Sequence, residues 1–115
     1  MVIMMGYDKK IICVDFDGVL NNYNGWMAYN ELGVPKAWAK EFLEILKKEF
    51  TVYIFTTRDR KKVMTWLDKY DMVYDYVTDI KVDAINYIDD RAITFKGNYE
   101  ETLKEIRDFN PYWEV

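Results

Sequence analysis

The sequence predicts an α/β fold, a single doubly wound and mostly parallel sheet with helices on both faces, occupying residues 1–115 as one domain. Three observations carry that prediction. Short apolar runs alternate with stretches whose apolar residues fall three and four apart, the signature of buried strands followed by crossover helices. Several of those runs end in acids or hydroxyls, at Asp15, Thr56 and Asp89. With 115 residues, 50% hydrophobic and 17% aromatic, the chain has material for one core and too little for two. Neither repeats nor low-complexity segments interrupt it.

The elements follow in order. Lys10 to Asp15 is an apolar run closing on an acid, read as the first core strand. Residues 16–34, with Gly18, Asn21, Asn22, Asn24, Gly25 and Gly33, form a loop or flap with room for a small hairpin. Pro35 suits the first turn of a helix that ends near Phe50 and turns Trp38, Phe42, Ile45 and Leu46 inward. Thr51 to Phe55 is a β-branched and aromatic strand leading to Thr56 and Thr57. Asp59 caps the next helix, striped by Val63, Met64, Trp66, Leu67 and Tyr70. Val73 to Val77 gives a weaker strand, Ala84 to Ile88 a core-like one ending at Asp89-Asp90, and Ile93 to Phe95 an edge strand. Asn98 with Glu101 resembles a capping box opening a helix that buries Tyr99, Leu103, Ile106 and Phe109.

Composition excludes several chemistries. The chain has no His, Ser or Gln, which removes Ser-His-Asp triads and Cys-His pairs and leaves carboxylates, Thr, Lys and Arg as reactive groups. Its single cysteine, Cys13, lies in an apolar run, so neither a disulfide framework nor a cysteine zinc site is expected. A formal net charge of -4 offers no global positive field for wrapping a nucleic acid. No run approaches the roughly 20 apolar residues of a membrane span, and the apolar stretch near the start is too short for a signal-peptide core. A soluble, cytoplasmic protein without a membrane partner is the expectation.

In a parallel α/β sheet ligands bind beyond the carboxyl ends of the strands. The residues expected there are Asp15 and Asp17, Thr56 and Thr57, and Asp89 and Asp90. Four carboxylates in one crevice repel one another unless a cation intervenes, and oxygen ligands without His or Cys point to Mg²⁺. A metal of that kind pairs naturally with a phosphorylated substrate.

The hexapeptide Asp15-Phe16-Asp17-Gly18-Val19-Leu20 after an apolar strand resembles the first motif of the haloacid dehalogenase superfamily of phosphohydrolases. Thr56 after Tyr53-Ile54-Phe55 resembles its second motif, Lys81 stands where its motif lysine would, and Ile88-Asp89-Asp90 resembles its acidic fourth motif. The likeness spans roughly residues 10 to 95. It implies that Asp15 is a nucleophile forming an aspartyl-phosphate, and that Asp17 is the acid and base serving the leaving group and the water. An acid at that second position marks phosphatases and phosphomutases in the family, where transport ATPases carry Thr. Thr56 would hydrogen-bond a phosphoryl oxygen, Gly18 would let backbone approach the phosphate, and Lys81 would offset the charge of Asp15. Lys96 competes for the lysine role. The implied Mg²⁺ ligands are a carboxylate oxygen of Asp15, the main-chain carbonyl of Asp17 and the carboxylate of Asp89, with Asp90 assisting or replacing Asp89. Residues 16–34 and 78–84 are too short for a cap domain, so the chain resembles a small capless member with an open site.

Plainer readings exist for each residue. Aspartates also form turns, Asp90 can pair with Arg91, and Lys81 can be a solvated lysine. Arg58, Arg60, Lys61 and Lys62 form either a solvated face or, at Arg58 beside Thr57, a contact for a second anionic group on the substrate. Tyr23, Trp26, Met27 and Tyr29 either stack on a base or sugar or pack on the domain, and ten Tyr with four Trp leave room for a homodimer interface. Nucleotide or polynucleotide ends lead the substrate classes, ahead of sugar phosphates and phosphoproteins. The rival functions are a non-catalytic Mg²⁺/phosphate-binding module and a receiver-like signalling domain, though receivers place the acidic pair on the first strand and the phosphorylated Asp on a middle one.

Overall fold

The computed structural model describes residues 9–23 and 31–114. Four strands form one parallel sheet: β1 (Ile11–Asp15), β2 (Thr51–Phe55), β3 (Tyr76–Thr78) and β4 (Asn86–Ile88), in the order β3-β2-β1-β4. The chain steps outward from β1 to β3 and then returns to the other side of β1. Strand order therefore reverses between β1 and β4, the place where such sheets open a crevice at their carboxyl ends. Asp15 closes β1 and Asp89 directly follows β4.

Helix α1 (Ala39–Glu49) packs on β2, and α2 (Arg60–Lys69) packs on β3. Both belong to crossovers running in the same direction, which by the right-handed rule places them on one face. The alternation of each strand fits. Ile12, Val14, Val52 and Ile54 meet Leu43, Val63, Trp66 and Leu67 in a single buried cluster with Phe16 and Leu20. Phe16 and Trp66 meet edge to face at 4.9 Å. Cap chemistry at α2 is as expected, with Asp59 Oδ1 accepting from the amides of Lys61 and Lys62.

The opposite face is not covered in the same way. Tyr53 and Tyr76 stack on it with ring centres 5.0 Å apart, Tyr87 lies beside Cys13 in register, and α3 (Tyr99–Asp108) buries none of its residues. Helices on both faces were expected, and the described residues place helices against one. Tyr99, Leu103, Ile106 and Phe109, predicted to be buried, are exposed, Tyr99 by 78%. The cap of this helix does form, since Asn98 Oδ1 accepts from the Glu101 amide at 3.0 Å. Local signals thus made the helix without docking its apolar stripe.

Other boundaries moved for identifiable reasons. Helix α1 starts at Ala39 rather than near Pro35, because Pro35 forms an isolated antiparallel bridge with Asn21 that staples the loop after β1. Lys36 then donates its amide to the Leu20 carbonyl at 2.9 Å. Trp38 takes a left-handed backbone at φ 77° as the residue before the helix, which leaves it 73% exposed rather than inward, and Ile45 is likewise exposed. The third strand begins at Tyr76 rather than Val73, because the Asp75 carboxylate accepts the Val52 amide at 2.8 Å and ends the pairing there. Strand β4 keeps only three residues, all exposed, since it is an edge beyond the reach of α1 and α2. Residues 93–95 form no strand.

Candidate active site

Strand β1 ends by delivering Asp15 into the crevice, and the chain then turns sharply through Asp17 and Gly18. Gly18 has φ +82°, in the left-handed region that favours glycine. A Cβ there would stand 2.1 Å from Asp90 Oδ2 and 3.1 Å from Trp113 Nε1. The missing side chain thus makes room for Asp90 and Trp113.

Asn21 holds this turn and was read from the sequence only as a loop residue. It is fully buried, accepts the Gly18 amide on Oδ1 at 2.9 Å, and donates from Nδ2 to Asp17 Oδ1 at 3.0 Å and to the Leu32 carbonyl at 2.8 Å. The Gly18 amide belongs to the same peptide plane as the Asp17 carbonyl. Fixing one end of the plane aims the other. A buried asparagine four residues after Asp17, with every polar atom needing a partner, was the available signal.

Asp17 is engaged on both oxygens. Arg58 Nε donates to Oδ2 at 2.7 Å in a pair that is largely buried on both sides, and Arg58 also donates to the Glu31 carbonyl at 2.9 Å. Arg58 is therefore turned toward the site, whereas Arg60, Lys61 and Lys62 are exposed. Thr56 is buried and its Oγ1 accepts the Arg58 amide at 3.0 Å, while Thr57 is exposed. The two threonines thus separate as strand alternation requires.

Across the crevice, Asp89 and Asp90 follow β4. One carboxylate oxygen from each of Asp15, Asp89 and Asp90 lies within 4.8 Å of the others, a spacing suited to a shared cation. The Asp17 carboxylate is outside this group; the resemblance assigned its main-chain carbonyl, not its side chain, to the metal. Asp89 Oδ1 accepts the Arg91 amide at 2.8 Å, so the turn-forming role belongs to Asp89. Asp90 instead accepts from the Trp113 indole on Oδ2, while its Oδ1 is buried with no hydrogen-bond partner. Burial first, then the hydrogen bond toward Asp90 and the charges of Asp89, Asp90 and Asp17, push the Asp15 carboxyl up to about 8. A hard divalent cation is the alternative way to satisfy the cluster, and the oxygen donors, the orphaned buried carboxylate oxygen and the mutual repulsion of the carboxylates all fit Mg²⁺.

Lys81 lines the same cavity, about 520 Å³, with Asp15, Asp89, Cys13, Phe55 and Tyr87, and its ammonium stands 5.4 Å from the Tyr87 ring centre. The Tyr87 hydroxyl donates to the Val82 carbonyl, tying the Lys81 loop to β4. Lys96 is placed elsewhere, with Nζ 3.1 Å from Glu105 and 3.7 Å from Glu101. Burial and the charges of Asp15 and Asp89 push the Cys13 thiol up to about 11, which suits packing and no thiolate role. Tyr23 packs edge to face on Trp113 at 4.9 Å; Trp26, Met27 and Tyr29 lie outside the described residues. No helix among the described residues is long and apolar enough to cross a membrane. Neither a family model, a curated protein nor a solved structure matches the chain.

Proposed function

We propose that the chain is a Mg²⁺-dependent phosphatase that hydrolyses a phosphate monoester through an aspartyl-phosphate, with a nucleotide or polynucleotide end as the leading substrate class. The observation that carries this reading is the convergence of Asp15, Asp89 and Asp90 at the strand-order reversal with a buried Asp90 oxygen lacking any partner. The resemblance of Asp15-Phe16-Asp17-Gly18, Thr56, Lys81 and Asp89-Asp90 to haloacid dehalogenase motifs supports it, as does the parallel sheet order β3-β2-β1-β4, which brings the ends of β1 and β4 side by side.

Asp15, Asp89 and Asp90, with the Asp17 carbonyl aimed by Asn21, are the residues that would hold Mg²⁺. When bound, the ion neutralises the cluster and polarises the phosphoryl group. Asp15 attacks phosphorus as the bond to the leaving oxygen breaks, and that oxygen takes a proton from Asp17. Water then attacks the phosphoaspartate, gives its proton to Asp17, and the Asp15–phosphorus bond breaks to release phosphate. Thr56 and Lys81 bind the phosphoryl oxygens. In the resting arrangement Arg58 occupies Asp17. An anionic substrate that draws Arg58 to itself frees the Asp17 oxygen that proton transfer needs, which joins the substrate-binding and catalytic roles.

That same Asp17–Arg58–Asn21 arrangement favours a second reading, a Mg²⁺/phosphate-binding module without turnover. Hydrolysis of a generic aryl phosphate, with Mg²⁺ or with EDTA and with wild type beside Asp15→Asn, separates the two. Turnover that requires Mg²⁺ and Asp15 supports the phosphatase. Its absence, with Mg²⁺ still raising the melting temperature, establishes the binding module.

A further inference from the structure

The segment after α3 returns to the site. Pro111 is buried, the Tyr112 hydroxyl donates to the Gly18 carbonyl at 2.5 Å, and the Trp113 indole N–H donates to Asp90 Oδ2. Tyr23 backs the indole, and the Lys36 ammonium stands 5.0 Å from the Tyr112 ring centre. Two adjacent side chains thereby grip both loops that carry the carboxylates, one after β1 and one after β4. The sequence gives neither residue a motif, and the family resemblance stops short of them.

The chemistry of this grip is selective. An indole N–H only donates, so it engages a carboxylate oxygen without taking up a cation or moving a proton. By holding Oδ2 against Gly18 it stops rotation of the Asp90 carboxylate and leaves Oδ1 as the uncommitted oxygen. Partners of this kind orient metal ligands, and removing one typically weakens metal binding about 10- to 100-fold. Tyr112 holds the peptide after Gly18, while Asn21 holds the peptide before it. The turn is therefore pinned from both sides.

We propose that Tyr112 and Trp113 form a strap that positions the cation site, with Trp113 selecting the Asp90 oxygen offered to the metal. The inference rests on the metal-site reading above. It is tested by Mn²⁺ binding to the full chain, followed by the loss of free-ion spin signal, for wild type, Trp113→Phe, Tyr112→Phe, Asp90→Asn and the double variant Trp113→Phe/Asp90→Asn, with melting in EDTA recorded for each. Phenylalanine keeps the ring against Tyr23 and deletes only the donor.

Trp113→Phe is expected to raise the Mn²⁺ dissociation constant about tenfold, and to add little once Asp90 is already Asn, because it acts through that carboxylate. Additive effects in the cycle would show a role unconnected with Asp90 and overturn the proposal, as would an unchanged dissociation constant in folded Trp113→Phe. If that variant melts below the assay temperature, Tyr112→Phe decides: weaker Mn²⁺ binding supports the strap and unchanged binding overturns it. Wild-type protein that binds no Mn²⁺ overturns the metal-site reading itself, a result distinguishable from failure of the strap alone.

Discussion

Replacing Asp15 should make the protein more stable in EDTA, and only where the pH ionises its carboxyl. The Asp15 carboxyl is pushed up to about 8 from an ordinary 3.8, a difference that at about 1.36 kcal/mol per pH unit sets a ceiling of roughly 6 kcal/mol. Asp15 is itself only half-buried and Asp89 is exposed, so water relieves both the desolvation and the repulsion, and about 2 kcal/mol is the expected effect. The sign follows from proton binding: between pH 4 and 8 the folded state holds a proton at Asp15 that the unfolded state has released, so wild-type stability falls as pH rises through that window. Asp15→Asn has no such proton. Its stability gain over wild type, measured by urea unfolding in EDTA, should grow from near zero below about pH 4 to about 2 kcal/mol above pH 8, roughly 8 °C in Tm. Mg²⁺ should restore wild type and leave the variant unmoved. A gain equal at both ends of the range, or a variant less stable than wild type at pH 9, would refute the reasoning.

Three other outcomes follow from the geometry. Gly18→Ala combines a positive φ with a Cβ 2.1 Å from Asp90 Oδ2, so it should destabilise by about 2 kcal/mol in chemical unfolding and weaken Mg²⁺-dependent melting shifts. Asn21→Ala removes the partners of Gly18, Asp17 and Leu32 from a fully buried position and should cost about 3 kcal/mol in the same assay. Leu103→Ser and Ile106→Ser, on a helix with no buried residue, should each change stability by less than about 0.5 kcal/mol; losses above 2 kcal/mol would show that α3 is packed in solution.

The local part of this structure was legible. Strands β1 and β2, the Asp59 and Asn98 caps and the stripe of Val63, Trp66 and Leu67 follow from periodicity and end chemistry alone. What failed depended on partners distant in the chain. Apolar residues at helical spacing in α3 predict a helix but cannot say whether a surface is within reach, and β4 looked like core because its composition does not reveal that it is an edge. The acids at the strand ends were found because alternating α/β order forces strand ends together. Asn21, Tyr112 and Trp113 were missed for the opposite reason, since no periodic rule brings a loop amide or a tail aromatic to a carboxylate.

The hydrogen bond from Tyr112 to Gly18 spans 94 positions of sequence. Contacts of such separation form late, because the entropy of closing a long loop must be met before the contact contributes anything. During synthesis β1 and its acidic turn emerge long before the residues that pin them. Once Asp89 and Asp90 have joined Asp15, and until Trp113 follows, a nascent chain carries its cluster of carboxylates without the donor to Asp90 Oδ2, and a cation bound then would meet a looser set of ligands. Completion of the site should therefore coincide with the last folding step, so refolding monitored by metal binding would lag refolding monitored by helix content.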